Sequence, residues 1–214
     1  MKTRHFSCLL PICMLVFACG PTASRSSADA VVFDAGARLV DFDFCASRDG
    51  RPSKWSIIDN DAGRGLARIE PEPNDHRLAF ALYRPFSGRD VYVSTSFSTI
   101  PGKINQAAGL FVRFRSPNDY YAVRADALEN SVNLYRIAAG KREMIGGMEV
   151  KVSGQARHTL GIAASGDRLT VIFDGRELFV ATDRRRPAPP GKVGLWTEAD
   201  STTVFESFEV SALH

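Results

Sequence analysis

From about residue 38 onward, apolar and polar positions alternate in short runs separated by turn residues, and no stretch sustains a helical period over ten or more positions. Successive side chains of a strand point to opposite faces, so each run reads as a strand with one buried side. Fourteen strands are expected, at 38–44, 55–58, 66–70, 77–83, 91–99, 108–115, 120–126, 131–138, 144–145, 157–164, 168–173, 177–181, 192–197 and 203–210. Short connections such as Ser116-Pro117-Asn118-Asp119, Ala139-Gly140-Lys141, Ser165-Gly166-Asp167 and Asp174-Gly175 are turns that join antiparallel neighbours. So many strands in under two hundred residues must pack as two layers or close into a barrel, and the two-sheet sandwich is the commoner solution. The expected fold is all-β, an antiparallel two-sheet β-sandwich of the jelly-roll kind.

The alternation also sorts side chains by face. Leu110, Val112 and Phe114 alternate with Phe111, Arg113 and Arg115; Tyr121, Val123 and Ala125 alternate with Tyr120, Ala122, Arg124 and Asp126; Val132 and Leu134 alternate with Asn133 and Tyr135. Extended across neighbouring strands, this pattern places Arg113, Arg124, Asn133 and Tyr135 on one polar face, with Trp196 and Glu198 bordering it from another strand. An aromatic ring can pack on the C–H face of a pyranose, while arginine and amide groups read hydroxyls or a carboxylate, so the six are candidate ligand-binding residues. The alternative puts Trp196 and Tyr135 in the core, with the arginines reaching solvent or pairing with Asp126 and Asp119. A slip of one residue would exchange the two faces.

The first twenty residues follow a different pattern. Lys2 and Arg4 precede an apolar run from Phe6 to Phe17, which ends in Val16-Phe17-Ala18-Cys19-Gly20. This resembles the lipobox of bacterial lipoproteins, Phe17 being bulkier than usual at its position. The resemblance implies a signal peptide at 1–18, lipidation of Cys19, a small-residue tether at 19–37 and a folded domain at 38–214. Gly20 is not the aspartate associated with inner-membrane retention, so the implied location is the bacterial cell envelope, at the outer membrane. An ordinary signal peptide cut nearby is the alternative. The apolar run is too short for a membrane-spanning helix.

Charge and cysteines narrow the class. Of 27 Lys and Arg against 24 Asp and Glu, two bases and no acids lie in the first 18 residues, leaving 25 against 24, a net charge of +1. Such a balance does not suit a nucleic-acid partner. Cys8 and Cys13 leave with the signal and Cys19 would carry lipid, so Cys45 has no partner for a disulfide and reads as a buried, inert thiol.

In order, Gly109-Leu110-Phe111-Val112-Arg113-Phe114, Asn118-Asp119-Tyr120-Tyr121-Ala122-Val123-Arg124 and Asn133-Leu134-Tyr135-Arg136 resemble concanavalin A-like lectin/glucanase jelly rolls of the laminin-G-like type. So do Arg157-His158-Thr159-Leu160, the Asp174-Gly175 hairpin, and Gly191-Lys192-Val193-Gly194-Leu195-Trp196-Thr197 with Phe205-Glu206-Ser207-Phe208-Glu209-Val210. The resemblance spans about 38–211. It implies a carbohydrate-binding module or a sugar hydrolase, and the fold alone does not choose between them.

Hydrolases of this type carry two carboxylates on one strand, about 5 to 5.5 Å apart, as Glu-x-Asp-x-x-Glu or Glu-x-Asp-x-Glu, and this sequence has neither pattern. The pairs Asp41/Asp43 and Glu70/Glu72 are the nearest substitutes. Asp41 and Asp43 could help hold Ca²⁺, but read more simply as exposed acids on an outer strand. His158 reads as a structural imidazole, and there is no nucleophile elbow, zinc spacing or phosphate loop. The leading expectation is a lipid-anchored, non-catalytic module for a glycan or envelope ligand, needing no cofactor. A glycoside hydrolase with carboxylates assembled from distant strands is the first alternative, and a structural or protein-interaction lipoprotein the second.

Overall fold

The computed structural model describes residues 29–32, 39–47, 52–60, 63–70, 78–100, 103–185 and 189–214. The lipobox, Cys19 and most of the expected tether lie outside these residues. The strands are β1 (Asp29–Val32), β2 (Phe42–Ala46), β3 (Trp55–Asn60), β4 (Gly63–Arg68), β5 (Leu78–Gly88), β6 (Val91–Ile100), β7 (Ala107–Ser116), β8 (Asp119–Asp126), β9 (Ser131–Ala138), β10 (Lys141–Glu149), β11 (Arg157–Ser165), β12 (Arg168–Phe173), β13 (Arg176–Thr182), β14 (Gly191–Glu198), β15 (Thr202–Phe205) and β16 (Ser207–Ala212).

They form two antiparallel sheets. One has seven strands in the order β10-β9-β8-β7-β14-β5-β2; the other runs β13-β12-β11-β6-β15-β4-β3, with β16 also on β6 and β1 on β16. The all-β sandwich expected from the alternation is therefore the fold. The expected turns close its hairpins: Ala139 and Gly140 (φ 51° and 75°) link β9 to β10, and Asp174 and Gly175 (φ 48° and 74°) link β12 to β13. Two consecutive positive φ values match the right-handed twist of the flanking strands.

Between the sheets lies the main hydrophobic core. Leu110, Val112, Val123, Leu134 and Leu195 of the seven-stranded sheet meet Val93, Leu160, Ile162, Val171 and Phe205 of the other, all fully buried. Each such side chain contributes about 1.5–3 kcal/mol through burial, which makes this layer the main source of stability. A second cluster, Phe80, Phe111, Phe114, Tyr120 and Trp196, packs separately from the first and belongs to the opposite, outer face of the seven-stranded sheet.

Three details depart from the sequence reading. The last expected strand divides at Glu206, whose backbone N–H turns to Ser96 O at 2.8 Å. Part of the expected tether is a strand: β1, rich in β-branched valine, pairs with β16 from Asp29↔Val210 to Val32↔Ser207. The third is a bulge in β7. Lys192 pairs with Phe114 and Gly194 with Phe111, so Val112 and Arg113 together stand against Val193. Arg113 takes a left-handed φ of 54°, and the extra residue inverts every face beyond it. Phe114 consequently joins Phe111 on the outer face, and Arg113 leaves that face.

Candidate functional site

The outer face of the seven-stranded sheet is built on a cross-strand row. Phe80 of β5 pairs with Trp196 of β14, Trp196 with Gly109 of β7, Gly109 with Arg124 of β8, Arg124 with Asn133 of β9, and Asn133 with Gly147 of β10. Residues in such register share one face, and those two positions away on each strand share it too. Glu198 thus stands beside Trp196, Tyr135 beside Asn133, and Tyr120 lies on the Arg124 side of β8.

Gly109 decides how the row is filled. The Trp196 indole lies across it, where a Cβ would overlap the ring, and its Nε1–H donates to Leu110 O and Val123 O at 3.2 Å each. The indole is 2% exposed, so Trp196 is a floor and not an open platform. This agrees with the core alternative for Trp196, while Tyr135 stays half-buried at the surface.

Charged groups lie over that floor. Glu198 accepts from Arg124 Nη1 at 3.2 Å and from Arg142 Nη1 at 2.8 Å, so each carboxylate oxygen meets a guanidinium. Arg142 sits over the Tyr135 ring at 3.9 Å and within 5.6 Å of the Trp196 ring, and Arg124 approaches Tyr135 at 5.8 Å. Stacked, planar guanidinium held by carboxylate is a geometry that lysine could not reproduce. Arg124 also bonds Glu129. That acid is placed by the β8–β9 turn, where Asp126 Oδ1 accepts the N–H groups of Leu128 and Glu129 at 2.8 and 3.1 Å. Asn133 donates to Ser131 Oγ at 3.0 Å, and Ser131 in turn to Glu129 at 3.2 Å.

Five of the six expected residues therefore meet on one face: Arg124, Asn133, Tyr135, Trp196 and Glu198. Arg113 does not. Carried inward by the bulge, it is 2% exposed and donates from Nε to Arg89 O at 2.7 Å and from Nη2 to Gly166 O at 2.9 Å, with Asp90 at 3.4 Å. It ties the β5–β6 turn to the β11–β12 turn and takes no part in the outer face. Burial lowers its pKa, a shift that the Asp90 charge opposes.

Arg142, Glu129 and Tyr120 were not among the expected site residues. Tyr120 carried a usable signal, four positions before Arg124 on the same alternating face. Arg142 carried little, because the exposed edge strand β10 has charges where a half-buried strand would show alternating apolar positions.

Other candidates resolve into structure. Asp43 pairs with Arg84 at 2.6 Å on the protein surface. His158 joins Asp174 at 2.8 Å, accepts Ser153 N–H at 3.0 Å and stacks on Phe173. Burial, with Asp43 nearby, pushes the Cys45 thiol up to about 11. Among the described residues, no three His, Cys, Asp or Glu side chains gather as a metal site, and no helix is long and apolar enough to cross a membrane.

Two depressions flank the Arg142–Tyr135 stack. One, of about 270 Å³, is bounded by Tyr120, Ile137, Leu78, Asn118, Arg142 and Glu198. The other is shallower, along β10, beside Asn133, Glu129, Met144 and Gly147.

No protein-family model matches the sequence, and no curated protein matches it. Solved structures share the fold. A protein of unknown function with a galectin-like fold from Bacillus subtilis aligns with a TM-score of 0.67 at 12% identity, covering 90% of this chain and 99% of that one. The carbohydrate-binding module CBM66 from Bacillus subtilis aligns at 0.60 and 21% identity over 76% and 91% of the two chains. The exoplasmic/lumenal domain of VIP36, in its Ca²⁺/Man3GlcNAc-bound form, aligns at 0.59 and 14% over 86% and 88%. At these identities the likeness is one of fold: this chain is an antiparallel two-sheet β-sandwich with a galectin-like fold.

Proposed function

We propose that this protein is a non-catalytic, glycan-binding jelly-roll module, held at the bacterial cell envelope by lipid on Cys19, with the outer face of the seven-stranded sheet as its ligand surface. One observation carries the reading: Glu198 joins Arg124 and Arg142 over an aromatic floor and beside an open cavity. Charge-paired guanidinium and carboxylate offer hydroxyl groups both donors and acceptors, and the adjoining rings and aliphatic walls suit the C–H face of a sugar. The shared fold with a carbohydrate-binding module and with a domain crystallised with Man3GlcNAc supports the same class of ligand.

The hydrolase alternative requires two carboxylates free to act as acid and nucleophile. Glu198 and Glu129 do converge on Arg124, but both oxygens of Glu198 are already engaged by guanidinium groups. Engagement of both Glu198 oxygens supports the binding reading over the hydrolytic one.

A glycan-array screen of the full-length protein, with Ca²⁺ and with chelator, tests the reading. Selective binding, lost on Arg124→Ala and without release of reducing sugar from the bound glycan, is the expected result. An array without selective binding overturns it. For the anchor, Cys19→Ser is expected to move the protein from the membrane fraction to the soluble one with its folding intact. A variant still recovered with membranes would show that lipid on Cys19 is not what holds it.

A further inference from the structure

We infer that the cavity between Tyr120 and Arg142 seats a single uncharged sugar unit, gripped through neighbouring hydroxyl groups; this deepens the glycan-binding reading and rests on it. The first observation is a hydroxyl without a partner. Tyr120 is 2% exposed, its ring wedged among Phe80, Phe111 and Phe114 at centroid distances of 5.3–6.4 Å, and its oxygen makes no hydrogen bond to any described residue. Phenylalanine would fill the same aromatic pocket, so the hydroxyl adds nothing to that packing. Its neighbour Tyr121 shows the usual arrangement, with its hydroxyl bonded to Asp183 at 3.0 Å. The ring is buried, but the oxygen is not among the sealed, unpartnered polar atoms, and Tyr120 borders the cavity, so the hydroxyl is open to whatever occupies it. Burial, only partly countered by the Arg142 charge, also keeps its phenol protonated and able to donate.

The remaining wall specifies the ligand. Arg142 uses one nitrogen on Glu198 and has further N–H donors, and the Asn118 amide makes no side-chain hydrogen bond to a described residue while adding a donor and an acceptor. Leu78 and Ile137 supply an apolar side. A cavity of about 270 Å³ lies below the ~300–1,000 Å³ of pockets for drug-sized molecules, which fits one ring and not a chain.

Charge selects against acids. Behind Arg142, Glu198 is shared with Arg124, and Arg124 is further matched by Glu129 and by Asp126 at 3.8 Å. Three carboxylates thus accompany two guanidiniums, leaving no positive excess to hold a sugar acid. Mixed donors and acceptors with no net positive charge suit neighbouring hydroxyls of a neutral ring.

Calorimetric titration of the full-length protein with methyl glycosides of neutral hexoses and pentoses, set beside the matching uronic acids, tests the inference together with the glycan array. At least one neutral glycoside is expected to bind tenfold or more tightly than its uronic acid. Tyr120→Phe should weaken that binding about tenfold while the melting temperature stays level or rises, since the substitution removes an unpaired hydroxyl. Asn118→Ala should weaken it as well. Binding unchanged by Tyr120→Phe but lost on Arg124→Ala would overturn the cavity assignment and leave the glycan face standing. A preference for uronic acids would overturn the charge argument, and a clear drop in melting temperature for Tyr120→Phe would assign the hydroxyl to the fold. Silence on both the array and the glycoside panel would overturn this inference and the proposed function together.

Discussion

Asp183, just past the end of β13, and Glu198, at the end of β14, are each a buried acid held by two arginines near tyrosines, yet their surroundings differ in one respect. Asp183 accepts from Arg136 Nε at 3.0 Å, from the Arg185 side chain and backbone at 2.9 and 3.1 Å, and from the Tyr121 hydroxyl at 3.0 Å. Arg185 also donates from Nη1 to both oxygens of Glu143 at 2.7 and 2.9 Å, and the result is a clasp between the two sheets. At Glu198 the two arginines complete the acid, but Arg142 keeps spare donors, and the nearby hydroxyl of Tyr120 has no partner among the described residues. The same residue types build a saturated structural joint in one place and, at the proposed ligand face, leave donors unused in the other. What separates them is whether every hydrogen-bonding group has a partner.

The largest effect that would test this contrast is on stability. Asp183→Ala leaves Arg136 without its buried partner and should cost about 3 kcal/mol, read as a lower urea midpoint at unchanged slope, with glycan binding retained. Glu198→Ala should cost only about 1–2 kcal/mol, because Arg124 keeps Glu129 and Asp126, but should abolish binding. If the two variants exchange these phenotypes, the division between clasp and site is wrong.

Acid sharpens the same contrast. Burial raises the pKa of Asp183, but the Arg185 side-chain and backbone hydrogen bonds, the Tyr121 hydroxyl and the Arg136 charge outweigh it and hold the carboxyl below its ordinary range. A depressed folded pKa adds stability that is present above the unfolded aspartate value, near pH 4, and is lost as pH falls through the folded value. Asp183→Asn should therefore flatten the acid limb of the stability curve below about pH 4, measured by urea unfolding across pH. The smallest expected effect is that of Tyr121→Phe, about 1 kcal/mol, since Asp183 retains its other donors.

Much of this was legible from the period of two. The alternation located the strands, and it grouped Arg124, Asn133, Tyr135, Trp196 and Glu198 because those positions lie on strands that hold their register. Arg113 failed the same logic. A bulge adds one residue and carries no sequence mark when the added residue is an arginine instead of a glycine, so the face inverts unannounced. Arg142 was hidden for a different reason: an edge strand exposed along most of its length has no buried side to impose alternation. Tyr120 was visible on the correct face, but its missing hydrogen-bond partner is a property of the three-dimensional surroundings that no sequence pattern records.

The strand at Asp29–Val32 also sets a length. With lipid proposed on Cys19, only nine residues separate the anchor from the first residue pinned to the nine-stranded sheet, and at full stretch the ten Cα–Cα steps reach about 35 Å. Such a leash would be short, and it would be fastened to the layer opposite the proposed ligand face. A domain so held would patrol a shell a few nanometres deep above its membrane, with the proposed binding surface on the side away from the point of attachment, and its search for ligand would be confined to whatever lies within that shell.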